Sequence, residues 1–201
     1  MKHDCAVAVF ARAPVPGTVK TRLLPELGES GAAELHKTLV TCTLETIASS
    51  GLGPTVLWCA PSTDHPFLRD CAARFDLRLA PQTGLTLGDR MHNACEYMLR
   101  EHAHMLLVGC DCPELCAGDL GTTARWLEED SDVVLGPAED GGYYLIGTNR
   151  AEQTMFVGVD WGSPHVLMQT RANLTAACLR WRELAVRWDL DRPEDLQRYR
   201  K

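Results

Sequence analysis

Two groups of ionisable residues in this 201-residue chain have types and spacing that can do chemistry. The first is the loop Phe10-Ala11-Arg12-Ala13-Pro14-Val15-Pro16-Gly17-Thr18-Val19-Lys20-Thr21-Arg22-Leu23, which follows the apolar run at residues 5–10. A buried strand that empties into a loop shaped by proline and glycine, with Arg12, Lys20 and Arg22 on it, is a candidate cradle for an anion. Gly17 can take backbone angles closed to other residues, while Pro14 and Pro16 restrict the chain and withhold two N–H groups. An arginine fork fits phosphate oxygens, and lysine adds a point charge. The loop is not a Walker A motif, because Gly17 and Lys20 are not adjacent. A solvated loop with incidental cations is the competing reading.

The second group is acidic. Asp111, in Gly109-Cys110-Asp111-Cys112-Pro113, ends the most apolar run of the chain. A carboxylate there can hold a hard cation such as Mg²⁺, which takes one or two carboxylates and completes its shell with substrate phosphates. The alternative is an Asp that caps the turn before Pro113. In Asp189-Leu190-Asp191-Arg192-Pro193-Glu194-Asp195-Leu196, Asp191 and Glu194 have capping-box spacing with Pro193 in the first turn. Asp191 therefore reads as structural, and Asp189 as the better second metal ligand.

Two further loops carry polar residues. Gly136-Pro137-Ala138-Glu139-Asp140-Gly141-Gly142-Tyr143-Tyr144 is either a plain hairpin, since Asp-Gly is a favoured turn pair, or an acceptor loop. In the second case Gly141 and Gly142 let backbone approach a substrate, and Asp140 meets a hydroxyl or a metal. Gln82-Thr83-Gly84-Leu85-Thr86-Leu87-Gly88-Asp89-Arg90-Met91 opens a helix. Gln82 can read a base or sugar edge and Arg90 can meet phosphate; alternatively Gly88 is a helix entry and Arg90 is solvated.

Other chemistries fit poorly. The seven histidines show no HExxH spacing and no GxSxG elbow is present, which argues against zinc-protease and serine-hydrolase readings. Cys110, Cys112 and Cys116 lack zinc-knuckle spacing and read as small buried hydrophobes. A net charge of −7 argues against a general nucleic-acid binder, so an anion site must be a local basic pocket. No apolar stretch is long enough to cross a bilayer. No apolar leader region follows Met1, Lys2 and His3, and nine cysteines without a scaffold rhythm fit reduced thiols in a cytoplasmic protein.

Positioning these loops requires a regular frame. Strands are expected at residues 5–10, 55–59, 77–80, 105–109, 132–136, 143–147 and 183–188. Helices are expected at 30–50, 66–74, 88–102, 120–129, 164–178 and 192–199. On the first helix, Ala32, Leu35, Leu39, Val40 and Ile47 form one stripe. Ser163 suits an N-cap, and Trp161 a core or rim position. This alternation predicts an α/β fold with one mostly parallel sheet and helices on both faces. Such sheets bind ligands beyond the carboxyl ends of their strands, so the loops after residues 10, 80, 109 and 136 belong on one rim.

Taken together and in order, the segments at 10–23, 82–91, 109–115, 135–147 and 189–196 resemble the radical-SAM/selenodomain-associated transferase family of the nucleotide-diphospho-sugar transferase (GT-A-like) superfamily. More distantly they are similar to 2-phospho-L-lactate and molybdenum-cofactor guanylyltransferases. The resemblance implies one Rossmann-like GT-A domain over residues 1–201, a three-layer α/β/α sandwich with a mixed, mostly parallel sheet. It also implies a nucleotide or nucleotide-sugar donor, a small-molecule acceptor, and Mg²⁺ or Mn²⁺. Arg12, Gly17, Lys20, Arg22, Gln82, Gly88 and Arg90 then fall to the nucleotide. Asp140, Gly141 and Gly142 fall to the acceptor, and Asp111 and Asp189 to the metal. Lys20, Arg22 and Asp111 become the catalytic set. Two departures are Trp161-Gly162-Ser163, where the family tends to carry Trp-Ser-Thr, and Cys112, where Ser or Thr is common. Glycosyl transfer, nucleotidyl transfer with pyrophosphate release, and a non-catalytic nucleotide-binding module are the three functions to be separated.

Overall fold

The computed structural model describes residues 4–199; the amino-terminal residues read above for a leader lie outside that range. Seven strands build one sheet in the order β3-β2-β1-β4-β6-β5-β7. In chain order they are β1 (Cys5–Arg12), β2 (Thr55–Ala60), β3 (Arg78–Pro81), β4 (His104–Val108), β5 (Val133–Pro137), β6 (Tyr143–Thr148) and β7 (Trp181–Glu183). All neighbours pair parallel except β6, which runs antiparallel to both β4 and β5. The mostly parallel α/β sheet is therefore the architecture that the alternation predicts, and its mixed character, through β6, is what the family resemblance implies.

Residues 5–9 of β1 are fully buried because helices cover both faces of the sheet. Val7 and Val9 point into a core shared with α1 (Leu24–Ser50), α2 (Pro66–Phe75) and α4 (Ala117–Glu129). Ala6 and Ala8 point the other way, toward α3 (Leu87–Leu99) and α5 (Val166–Ala176). Gly28, at φ +65°, breaks α1, so the continuous helix starts close to the expected residue 30. A third apolar cluster joins Leu23 and Leu39 to Trp188, Leu190 and Leu196 of the terminal helix α6 (Pro193–Tyr199). This cluster docks the segment before α6 beside the first loop. Trp188 and Leu190 are buried in it, which turns Asp189 between them to the opposite side.

Two expectations need correction. The last strand is β7 at Trp181–Glu183, not 183–188. Beyond Glu183 only isolated contacts to the sheet persist, at Leu184 and at Arg187, whose backbone bridges Ala138 while its side chain forms an ion pair with Asp119 at 2.7 Å. The cap of α6 is not an Asp191–Glu194 box. The Asp195 carboxylate accepts from the N–H groups of Asp191 and Arg192, at 3.0 and 2.7 Å. That leaves the Asp191 carboxylate free to pair with Arg22.

Candidate active site

The parallel strands deliver their carboxyl ends to one rim, and an open cleft of about 1000 Å³ lies there. Arg12 after β1, Gln82 after β3, Gly109 to Asp111 after β4, Asp140 in the β5–β6 turn, Arg90 on α3 and Asp189 all line it. The rim expected from the sheet rule thus gathers residues from five separate segments.

The far end of the first loop, with Lys20 and Arg22, folds back onto the acidic segment, while Arg12, Val15 and Thr18 line the cleft. Lys20 is only 7% exposed, and its Nζ donates to the Leu190 carbonyl at 2.6 Å. The same ammonium forms an ion pair with Asp111 and lies 3.9 Å from Asp191. A lysine this buried needs such partners, since an uncompensated buried charge is strongly disfavoured. Its backbone sits in the left-handed region at φ 48°. Arg22 pairs with Asp191 at 2.5 Å on the surface. Neither Lys20, Arg22 nor Gly17 forms part of the cleft wall. Arg12 does: it is exposed, and no hydrogen bond or ion pair engages its guanidinium among the described residues.

Asp111 and Asp189 are brought together by the backbone, where the Leu190 N–H donates to the Asp111 carbonyl at 2.8 Å. The Asp189 carboxyl is pushed up to about 7, first by burial and then by the charges of Asp111 and Asp140, with Lys20 opposing and Asp191 adding. Its Oδ1 is buried without a hydrogen-bond partner. A crowded carboxylate pair with an orphaned oxygen fits a hard divalent cation. Among the described residues no three His, Cys, Asp or Glu side chains converge on one metal position. A cation held here by Asp111 and Asp189 would therefore draw its remaining ligands from phosphate and water.

The glycines and polar residues of the rim divide by role. Gln82 donates both amide hydrogens to backbone, to Trp58 O at 2.9 Å and Ala11 O at 3.3 Å, so it presents only its carbonyl oxygen to a ligand. Arg90 donates through Nε to Gly84 O at 3.2 Å and keeps its terminal nitrogens. Gly88 packs against Trp161 and Phe156, and a Cβ there would lie 2.9 Å from the indole nitrogen. Asp140 accepts from Gly142 N–H at 2.8 Å, closing the turn. Gly141, at φ +88°, is needed because a Cβ would run into the Pro164 carbonyl. Gly142 lines the cleft but Gly141 does not.

Two cleft groups escaped the sequence reading or were read only as framework. His36 lies in the cleft floor, where its Nε2–H donates to the Arg12 carbonyl at 3.0 Å. Because a carbonyl only accepts, the neutral ring leaves Nδ1 as a lone pair, buried and unpartnered. Burial lowers its pKa, opposed by Asp111, so the ring is neutral. The signal was present, since His36 interrupts the apolar stripe of α1 between Ala32 and Leu39. Tyr143 and Trp161 also wall the cleft. Cys110 reaches it too, but burial raises its pKa and keeps the thiol protonated, so it is no nucleophile.

The fold is that of the GT-A-like nucleotide-diphospho-sugar and nucleotidyl transferases. A provisionally named nucleotide-diphospho-sugar transferase from Desulfovibrio desulfuricans G20 matches at a TM-score of 0.85 and 29% identity, over 96% of this chain and 84% of that one. A nucleotidyl transferase from Methanothermobacter thermautotroptrophicus, Mth528, matches at 0.68 and 15% identity, over 98% and 95%. Glucosyl-3-phosphoglycerate synthase from Mycobacterium tuberculosis, in complex with Mn²⁺ and uridine diphosphate, matches at 0.56 and 9% identity, over 97% and 75%. A comparison with curated proteins found no match. The family described as "Uncharacterized protein conserved in bacteria (DUF2064)" matches residues 43–163, more than half of the chain, and the chain belongs to it.

Proposed function

We propose that this protein is a transferase that binds a nucleotide sugar with a divalent cation and passes the glycosyl group to a small-molecule acceptor. The observation that carries this reading is the state of the first-loop cations. Lys20 and Arg22 are both engaged by carboxylates, which leaves Arg12 as the unpaired cation of that loop on the cleft. With Lys20 and Arg22 engaged, the cations that face the cleft are Arg12 and the terminal nitrogens of Arg90, a supply that suits a diphosphate better than the more highly charged triphosphate. The 29% identity to the Desulfovibrio protein over nearly the whole chain supports the same reading.

In this mechanism the acceptor hydroxyl attacks the anomeric carbon, the bond from that carbon to the diphosphate oxygen breaks, and the nucleoside diphosphate departs with the electron pair and takes up the hydroxyl proton. Mg²⁺ or Mn²⁺ on Asp111 and Asp189 would neutralise charge on the diphosphate. Arg12 and the terminal nitrogens of Arg90 donate to phosphate oxygens. Gln82 accepts from the nucleoside. Lys20 holds Asp111 and the 189–191 segment in place. Asp140 orients the acceptor hydroxyl. Nine free cysteines fit a reducing compartment such as the cytoplasm, and among the described residues no helix is long and apolar enough to cross a membrane.

Incubation with Mg²⁺ or Mn²⁺, nucleotide sugars and candidate alcohols tests this reading. Free nucleoside diphosphate is expected; pyrophosphate released from a nucleoside triphosphate would instead mark nucleotidyl transfer, the activity that the name of Mth528 carries. Asp111→Asn, which keeps a polar partner for Lys20, should abolish turnover in protein whose fold is checked by circular dichroism. Nucleotide binding without product from any donor–acceptor pair would favour a non-catalytic module.

A further inference from the structure

The half of the cleft beyond Asp111 has a different chemistry from the half that holds Arg12 and Gln82. Its walls are Leu87 and Met91 of α3, Tyr143 of β6, Trp161, and Val166 at the start of α5, with Asp140 at the margin. The sheet order separates the two halves, because β1, β2 and β3 lie on one side of β4 and β6 on the other. Arg90 shares the cleft-facing side of α3, but its bond to Gly84 turns it toward the loop after β3. The wall beside β6 thus carries an aromatic surface and a carboxylate, with no cation of its own.

This wall is rigid. Trp161 packs edge-on to Tyr143, with ring centroids 6.3 Å apart and planes at 81°, and tilted against Phe156 at 6.5 Å. Gly88 lets the indole press onto the first turn of α3. Leu167 N–H donates to the Gly141 carbonyl at 2.8 Å, which fixes the Asp140 turn to α5. Asp140 spends Oδ1 on the Gly142 N–H, and Oδ2 has no partner among the described residues. An apolar ring surface held at a set distance from a free carboxylate oxygen matches a ligand with an apolar ring face and a nearby hydroxyl. Aromatic side chains supply large, shaped contact area, and a phosphate placed against them would lose its hydration without a paired cation.

We infer that this half of the cleft is the acceptor subsite and that it takes a neutral, ring-bearing alcohol, either aromatic or a sugar, rather than a phosphorylated metabolite. The inference rests on the donor assignment made under Proposed function, because it places the nucleotide in the other half.

Saturation-transfer NMR on the full chain with Mg²⁺, with and without uridine or guanosine diphosphate, tests it. The probes are benzyl alcohol, methyl β-D-glucoside and glycerol 3-phosphate. Ring protons of benzyl alcohol or of the glucoside should receive saturation, and which of the two does identifies the source of the ring. Glycerol 3-phosphate should receive none. Trp161→Ala should cut the ring-probe signal at least fivefold, Trp161→Phe should keep most of it, and nucleotide affinity should change less than twofold. Leu87 is 42% exposed, so Leu87→Glu keeps the fold and should also cut the signal. Saturation of glycerol 3-phosphate with no response to either variant, or no ring-probe signal on wild type, overturns the inference. Because the probes are also read without nucleotide, failure of nucleotide to bind counts against the donor assignment alone.

Discussion

Lys20 and Asp111, from opposite ends of the parallel half of the sheet's connectivity, form a direct ion pair on the rim, and the lysine is the buried partner. The contact welds the first loop to the end of β4, and the bond from Lys20 to Leu190 extends the weld to the segment bearing Asp189. Lys20 is therefore the internal counter-charge of an acidic cluster rather than a free hand for phosphate.

Replacing Lys20 should show this in stability first. Lys20→Met leaves Asp111 uncompensated and the Leu190 carbonyl without its donor, while Asp191 keeps its pair with Arg22. Asp111 is half exposed and screened by water, so a loss of about 2 kcal/mol is expected rather than the larger value of a fully buried pair. Urea denaturation measures it. An unchanged midpoint would mean that the pair does not hold the loop.

Arg12→Ala should behave in the opposite way. The side chain is exposed and unpaired, so the melting temperature should stay within about a degree while nucleotide affinity drops roughly tenfold, the loss of one charge-assisted bond. Calorimetric titration with a nucleoside diphosphate separates the two effects. Equal affinity in the variant removes Arg12 from the donor site.

Asp189 gives a pH signature in the metal-free protein. Its folded pKa, about 7, lies above the unfolded value near 4, so between those limits the folded state holds the extra proton. Stability in EDTA should thus fall as pH rises from about 4 to about 7 and level off above that. Asp189→Asn should flatten this slope and raise the melting temperature at pH 8. A slope identical in the variant would show that another group is responsible.

Gly141→Ala tests the turn that carries Asp140. The substitution meets both a left-handed backbone and the Pro164 carbonyl, whereas Gly162, at φ +85°, faces open space. Gly141→Ala should cost several-fold more stability than Gly162→Ala, for which backbone strain alone gives about 1 kcal/mol. Comparable thermal shifts would remove the packing argument.

Much of the frame was legible because burial leaves local marks. β4 is apolar on both faces, as a strand flanked by strands and helices must be, and α1 shows its stripe of Ala32, Leu39, Val40 and Ile47. Convergence of loops on one rim followed from parallel pairing alone. What stayed hidden depends on partners distant in sequence. Nothing near Lys20 says that its ammonium will be claimed by Asp111, and nothing near Gly141 says that Pro164 will press on it. The strand placed at 183–188 is shorter for the same reason: the extended segment after Glu183 follows β5 only through Leu184 and Arg187, because β5 itself ends at Pro137 and turns away. His36 was visible as a polar break in an apolar stripe, yet its bond to Arg12 belongs to tertiary structure.

The most direct test is the melting temperature of the wild-type protein and of Asp111→Ala with uridine and guanosine diphosphates, each with Mn²⁺ and with EDTA. A ligand that binds only the folded form, at about a hundredfold its dissociation constant, stabilises by about 2.7 kcal/mol. At least one nucleotide should raise the wild-type melting temperature by several degrees with Mn²⁺, and neither should do so in EDTA or with Asp111→Ala. No shift with any nucleotide, or a shift that survives both EDTA and the loss of Asp111, would contradict the assignment of this cleft as a metal-assisted nucleotide site.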